Sequence, residues 1–153
     1  MTASHAELVE NRASGSEILA HLARCDARFV PPLSDRVDLV AYAHRLHERA
    51  RRFEAWANGG LIGLVAAYFN DENGAMFISN VSVDEDFLGR GIASALLARA
   101  FASARATGFT QIHLRVGTAD VAARRLYEKL GFRACPAEGE QTLMQLDLPV
   151  TPR

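Results

Sequence analysis

Residues 81–101 read VSVDEDFLGRGIASALLARAF, and this stretch narrows the fold further than any other. Val81-Ser82-Val83 has the composition of a strand end, and Asp84-Glu85-Asp86 breaks it with three solvated acids. From residue 91, Ile92, Leu96, Leu97, Ala100, Phe101 and Ala104 recur at helical spacing until Gly108 stops the pattern. The corner between them is Gly89-Arg90-Gly91. A strand that turns through glycines into an amphipathic helix requires a sheet with a helix laid on its face.

That corner admits two uses. Consecutive amides at a helix start can converge on one anion, aided by the helix dipole, and glycine permits the backbone angles and close approach. The same residues also make a plain flexible corner. Two phosphate signatures are excluded. A Walker A loop needs a lysine after its second glycine, and none stands here. A dinucleotide fingerprint wants its glycines directly after the strand and an acid ending the next strand. Here Asp84 to Leu88 intervenes, QIHLRV (111–116) carries no acid, and Ser94 is a near miss for the third small residue.

The remaining chain supplies further elements. A short strand is expected near residues 6–10, and a helix over 14–25 with Ile18, Leu19 and Leu22 on one face. Pro31-Pro32 makes RFVPPLSDR (28–36) a loop. Ser34 or Asp35 is expected to cap a helix over about residues 36–49. FEAWANGGLIGLVAAYFN (53–70) reads as a hairpin turning at Asn58–Gly60. AMFISNVSV (75–83) follows a DENG turn as another strand. TQIHLRVG (110–117) is a strand and ADVAARRLYEKLG (119–131) a helix. FRACP (132–136) and QTLMQLDL (141–148) are two last strands around an AEGE turn. The order predicts a mixed α/β sheet with helices packed on its faces.

The length of 153 residues predicts one domain (1–153), with 49% hydrophobic and 23% charged residues, as in an ordinary globular chain. A net charge of −1 gives no bulk attraction to nucleic acid or to an anionic membrane. Cys25 and Cys135 are too few for a disulfide framework and sit in no metal or redox spacing, so no metal is expected. The start MTASHAELVENR has no signal-peptide pattern, and no apolar run approaches the roughly 18 residues of a membrane span. The expected location is the cytoplasm.

Two blocks together resemble the GNAT superfamily of acyl-CoA-dependent N-acyltransferases. NVSVDEDFLGRGIASALL (80–97) is similar to that superfamily's motif A, a strand ending in Val, a short acidic loop, then Arg/Gln-x-x-Gly-x-Gly/Ala opening a helix. Gly91 and Ala93 match its last two fixed positions. ADVAARRLYEKLGF (119–132) resembles the Asn-x-x-Ala-x-x-x-Tyr-x-x-x-Gly-Phe helix, with Ala123, Tyr127, Gly131 and Phe132 in register. The blocks lie one strand apart, as in the family, and the element order agrees from residue 14 onward.

The resemblance implies a mostly antiparallel α/β (α+β) sheet splayed in the middle, with acetyl-CoA as cosubstrate. The loop Leu88, Gly89, Arg90, Gly91, Ile92 and Ala93, with Ser94 after it, would offer amides to the coenzyme A pyrophosphate. The strand end Val81, Ser82 and Val83 would pair with the pantetheine arm, and Asp120 and Ala123 would lie beside it. Tyr127 would protonate the departing thiolate, since a phenol near pKa 10 is a plausible donor to a thiol about 1.5 units lower. Periodicity alone favours packing, because Ala123, Leu126, Tyr127 and Leu130 share one helical face. Three positions depart from the pattern: Leu88 for Arg/Gln, Asp120 for Asn, and Arg115 for a frequent Glu. Arg90 could compensate for Leu88.

By type alone, Asp84, Glu85, Asp86, His44, His47 and Tyr68 are candidates to accept the amine proton, as is a water relay. For the acceptor amine, the family points to the 28–36 loop and the central strands: Phe29, Ser34 and Arg36, with Tyr68, Ser79 and Asn80. With no cysteine in either block, direct transfer within a ternary complex is expected. The expected acceptor is a small-molecule primary amine. The alternatives are a protein N-terminus or lysine, and a non-catalytic acyl-CoA sensor. QTLMQLDL could serve as an edge strand pairing across a homodimer.

Overall fold

Strands and helices interleave along the chain as the sequence order predicts. The structure is a computed structural model that describes residues 5–69, 74–136 and 139–149. Its elements are β1 (Glu7–Glu10), α1 (Gly15–Cys25), α2 (Leu39–Arg49), β2 (Arg51–Ala57), β3 (Gly60–Tyr68), β4 (Ala75–Val83), α3 (Ile92–Thr107), β5 (Gln111–Gly117), α4 (Val121–Lys129), β6 (Arg133–Ala134) and β7 (Gln141–Asp147). Residues 71–73 of the expected DENG turn and 137–138 of the AEGE turn lie outside the described residues.

The strands form one sheet in the order β1-β2-β3-β4-β5-β7-β6. Every neighbouring pair is antiparallel except β4 and β5, which run parallel. Their pairing runs from Ala75↔Gln111 to Ile78↔Leu114 and then stops, although β4 continues to Val83 and β5 to Gly117. The reason lies in the neighbours. β5 stays in register with β7 as far as Gly117↔Gln141. β4 stays with β3, but its register shifts there, because Ala66 faces Asn80 and Ala67 faces Ile78. Ser79 is therefore the extra residue of a bulge, which bends the strand away from β5. The mixed, mostly antiparallel and centrally splayed sheet matches the expectation.

Each face of the sheet carries helices. One apolar core joins α3 and α4 to it through Phe53, Val65, Met76, Leu96, Leu97, Ile112, Phe132 and Met144. The other joins α1 and α2 through Ile18, Leu22, Tyr42, Leu46, Trp56 and Leu64. This second face is also polar. Arg52 and Glu54 form a buried pair at 3.1 Å. Arg52 donates to the α2 carbonyls of Leu46 and His47, and Glu54 accepts from the Ala13 amide and the Trp56 indole.

Three expectations need correction. α2 begins at Leu39 with Asp38 as its cap, accepting from the Ala41 amide, and not near residue 36 with Ser34 or Asp35. Ser34 is held elsewhere, since its Oγ and amide both donate to Asp26, at 2.6 and 2.7 Å, and Leu33–Asp35 close a separate 3-10 turn. FRACP contributes a two-residue strand. β7 is not the sheet edge, because β6 pairs beside it through Met144 and Gln145.

Candidate active site

The divergence of β4 from β5 opens a cleft of about 90 Å³. One wall is Ser79, Asn80 and Val81 of β4, and the opposite wall is Arg115, Val116 and Gly117 of β5. α4 contributes Asp120, Ala123 and Tyr127, and the α1–α2 connection covers the space with Phe29, Val30, Pro31 and Arg36. The cover is tight at one point. A Cβ on Gly117 would lie 1.7 Å from the Val30 carbonyl oxygen, so a residue without one is required there.

The cleft continues past Phe29, Val81, Asp120 and Ala123 into a recess lined also by Cys25, Arg28, Ser82, Val83 and Leu88. Through Val83 and Leu88 this adjoins a third recess at Gly89, Gly91, Ile92, Ala93 and Ser94, at the start of α3. Gly89 and Gly91 hold φ of 78° and 76°, and a Cβ on either would meet open space. No side chain caps α3, whereas Ser14, Asp38 and Asp120 cap α1, α2 and α4. The first amides of α3 are thus left to an outside acceptor, which suits a phosphate. A path running from a splayed strand edge to an uncapped glycine-led helix fits a long thioester ending in a pyrophosphate.

Tyr127 is buried on α4, its ring 5.7 Å from that of Phe132. Burial pushes the phenol above its ordinary pKa, and the nearby Asp120 carboxylate adds to the rise. The group is therefore held as a phenol throughout the physiological range. Asp120 caps α4 by accepting from the Ala123 amide at 3.1 Å, so the Asp does what an Asn would do there. Leu88, half exposed at 51%, lines two of the recesses. Arg90 lies 5.0 Å over the ring of Phe87 at the surface. Arg28 donates to the Val83 carbonyl, a backbone group the resemblance assigns to pantetheine pairing.

The other candidates divide by position. Phe29, Arg36, Ser79 and Asn80 line the cleft, and Arg115 stands opposite. Ser34 does not line it and braces the loop through Asp26, while Tyr68 packs against the α1–α2 core. Among the proton-acceptor candidates, Glu85, Asp86, His44 and His47 are exposed and line none of these recesses. Asp84 differs, because its Oδ1 lies 2.7 Å from Nδ1 of His21, a residue the motif reading passed over. His21 is fully buried, and its Nε2 lies 2.9 Å from Ser82 Oγ. Tyr42 was also missed; its hydroxyl sits 2.6 Å from Ser79 Oγ, and burial raises its pKa to about 12. Helical spacing offered a signal, since His21 shares a face with Ile18, Leu22 and Cys25.

Residues 17–132 match the acetyltransferase (GNAT) family, and the chain belongs to it. Among curated relatives it is 34% identical to an N-acetylaspartate synthetase of Rattus norvegicus over 96 residues, 63% of this chain. That match spans about a third (32%) of the length of the relative. Among solved structures, PaiA N-acetyltransferase from Thermoplasma acidophilum in complex with coenzyme A superposes with a TM-score of 0.73. It covers 93% of this chain and 99% of that one at 13% identity. The ribosomal-protein-S18-alanine N-acetyltransferase of Escherichia coli gives 0.75, covering 97% of each chain at 21% identity. The family is one of acetyltransferases, for which acetyl-CoA is the typical cosubstrate, and the Thermoplasma acidophilum neighbour is in complex with coenzyme A. Among the described residues no helix is long and apolar enough to cross a membrane.

Proposed function

We propose that the protein transfers the acetyl group of acetyl-CoA directly to the primary amine of a small molecule that carries carboxylate groups. The observation that carries this reading is the cleft itself, where β4 and β5 part beyond Ile78 and Leu114 and Tyr127 lines the gap. Val81 to Val83 and the Leu88–Ser94 turn would hold the cosubstrate, and its bound form supplies an acetyl group activated as a thioester. Tyr127 stands as the general acid for the sulfur. Its buried phenol keeps its proton until a stronger base forms beside it.

The acceptor class follows from charge and enclosure. Arg36 and Arg115 line the same cleft, and among the described residues neither forms an ion pair. Two guanidinium forks suit carboxylates better than they suit a polyamine or an aminoglycoside, which would be repelled. The Val30 carbonyl seated on Gly117 closes one end, which favours an amino acid over a folded protein. The curated relative named N-acetylaspartate synthetase agrees in acceptor type.

Arg36→Gln and Arg115→Gln test the assignment. With an acidic amino acid as acceptor, each change should raise KM about tenfold or more, as a charge-assisted pair of roughly 1.5–3 kcal/mol requires. Acetyl-CoA affinity should change little. Acceptor KM values that stay at the wild-type level in both variants would sink the carboxylate reading.

A further inference from the structure

Net transfer turns an ammonium and a thioester into an amide, a thiol and one released proton. Tyr127 accounts for the proton on sulfur, and nothing so far accounts for the one that leaves. We propose that His21, acting through the Ser82 hydroxyl, is the general base that takes the amine proton, with Asp84 holding its Nδ1–H, and that the proton returns through Ser82 once the product has left. This deepens the proposed function and rests on it.

The geometry is a continuous hydrogen-bonded chain through the β4 wall. Asn80 lines the acceptor cleft and Ser82 the adjoining recess. Ser82 Oγ lies 2.8 Å from Asn80 Oδ1 and 2.9 Å from His21 Nε2. His21 Nδ1 then lies 2.7 Å from Asp84 Oδ1. The His21 ring is fully buried, while the Asp84 side chain is 17% exposed and meets Arg24 at 3.0 Å. The chain thus runs from the recess beside the cleft to a buried imidazole anchored by a partly exposed carboxylate.

Its chemistry has two complete states. In one, the ring carries protons on both nitrogens: Nε2 donates to Ser82, Ser82 donates to Asn80 Oδ1, and Nδ1 donates to Asp84. In the other, Nε2 is bare, the Ser82 hydroxyl donates to it, and the Asn80 amide turns so that its nitrogen donates to Ser82. Both His21 nitrogens and the Ser82 hydroxyl are paired in each, and the states differ by one proton. In the accepting step the ammonium N–H bond breaks, its electron pair stays on nitrogen, and the proton reaches Ser82 Oγ as the Ser82 proton moves to Nε2. Asp84 fixes the tautomer by holding Nδ1–H, the role a carboxylate plays beside an imidazole base. Burial alone would raise the Asp84 carboxyl, but His21 and Arg24 outweigh it and hold the pKa below the ordinary value.

The same corner contains Cys25, with His21, Cys25 and Asp84 donor atoms within 4.8 Å of one another. A cation there would face two guanidinium groups, Arg24 on Asp84 and Arg28 3.6 Å from the Cys25 sulfur. Burial also pushes the Cys25 thiol up to about 11, which keeps it neutral. The charged groups around the ring are therefore Asp84, Arg24 and Arg28, with Cys25 silent.

The test joins kinetics to a spectroscopic reading. In wild-type protein with ¹⁵N-labelled histidine, His21 should keep Nδ1 protonated at every pH while Nε2 changes from protonated to bare. In Ser82→Ala and His21→Asn, kcat should fall about 10²-fold, the scale of general-base loss. It should recover partly as pH rises and the free amine becomes abundant, while acetyl-CoA affinity stays at the wild-type level. Ser82→Ala keeps the His21–Asp84 pair, so it separates proton transfer from folding. An Nε2 that never changes state, unchanged kcat and pH profile in both variants, or stoichiometric Zn²⁺ binding that freezes the ring would each overturn the relay. Wild-type transfer that both variants preserve overturns the relay alone, and absence of transfer to any amine overturns the function with it.

Discussion

The two faces of the sheet are built on opposite plans. The face under α3 and α4 is apolar, closed by Phe53, Met76, Leu96 and Phe132, and its reactive side chain is the solitary Tyr127. The face under α1 and α2 buries His21, Arg52, Glu54, Asn80 and Ser82 among its aliphatic residues. An isolated phenol in an apolar wall resists ionisation and can give a proton. A hydrogen-bonded imidazole can receive one. The cleft between β4 and β5 lies where the two plans meet, so the proposed proton donor and acceptor stand on different faces of one sheet.

The largest break in this contrast should come from Glu54→Ala. It strips the partner from a fully buried Arg52 and from the Trp56 and Ala13 donors, and breaking such a pair costs about 3–5 kcal/mol. Urea unfolding should register that loss. A change below about 1 kcal/mol would show that the polar face is looser than its contacts imply. Next is Tyr127→Phe, which keeps the packing against Phe132 and should lower kcat about 10²-fold with acetyl-CoA affinity little changed. Unchanged turnover across the pH range would remove Tyr127 from the chemistry.

A smaller effect concerns acid stability. Asp84 has a folded pKa below its unfolded value near 3.9, so it stabilises the fold above about pH 4. That contribution is lost as pH falls through the lowered folded value. The stability gap between wild type and Asp84→Asn should therefore be widest near neutral pH and narrow below about pH 4. A gap independent of pH, read from urea midpoints, would mean that the His21 and Arg24 contacts do not favour the carboxylate.

The same contrast explains what the amino-acid sequence made legible. The α3–α4 face is written locally: a glycine corner, two helical periods, and Ala123, Tyr127, Gly131 and Phe132 in fixed register. Each signal lies within a few turns of chain, so the element order, the splay and the Tyr127 position could be anticipated. The polar face is written across distance. His21 and Asp84 are 63 residues apart, and Glu54 meets Ala13 across 41, separations that no periodicity encodes. The start of α2 was misplaced because Asp26, eight residues earlier, takes the Ser34 hydroxyl. The sequence presents β7 as an edge because two residues of β6 are too few to make a strand pattern.

The central claim is that this cleft acetylates an amine bearing carboxylates, and free-thiol release from acetyl-CoA reads it directly. Matched pairs of acceptors, an acidic amino acid against the amine left when its carboxylates are removed, isolate the part played by Arg36 and Arg115. The account predicts rapid release with the acidic amino acid and little with its decarboxylated partner. Equal rates for the pair, or no release with any amine while acetyl-CoA still binds, would contradict it.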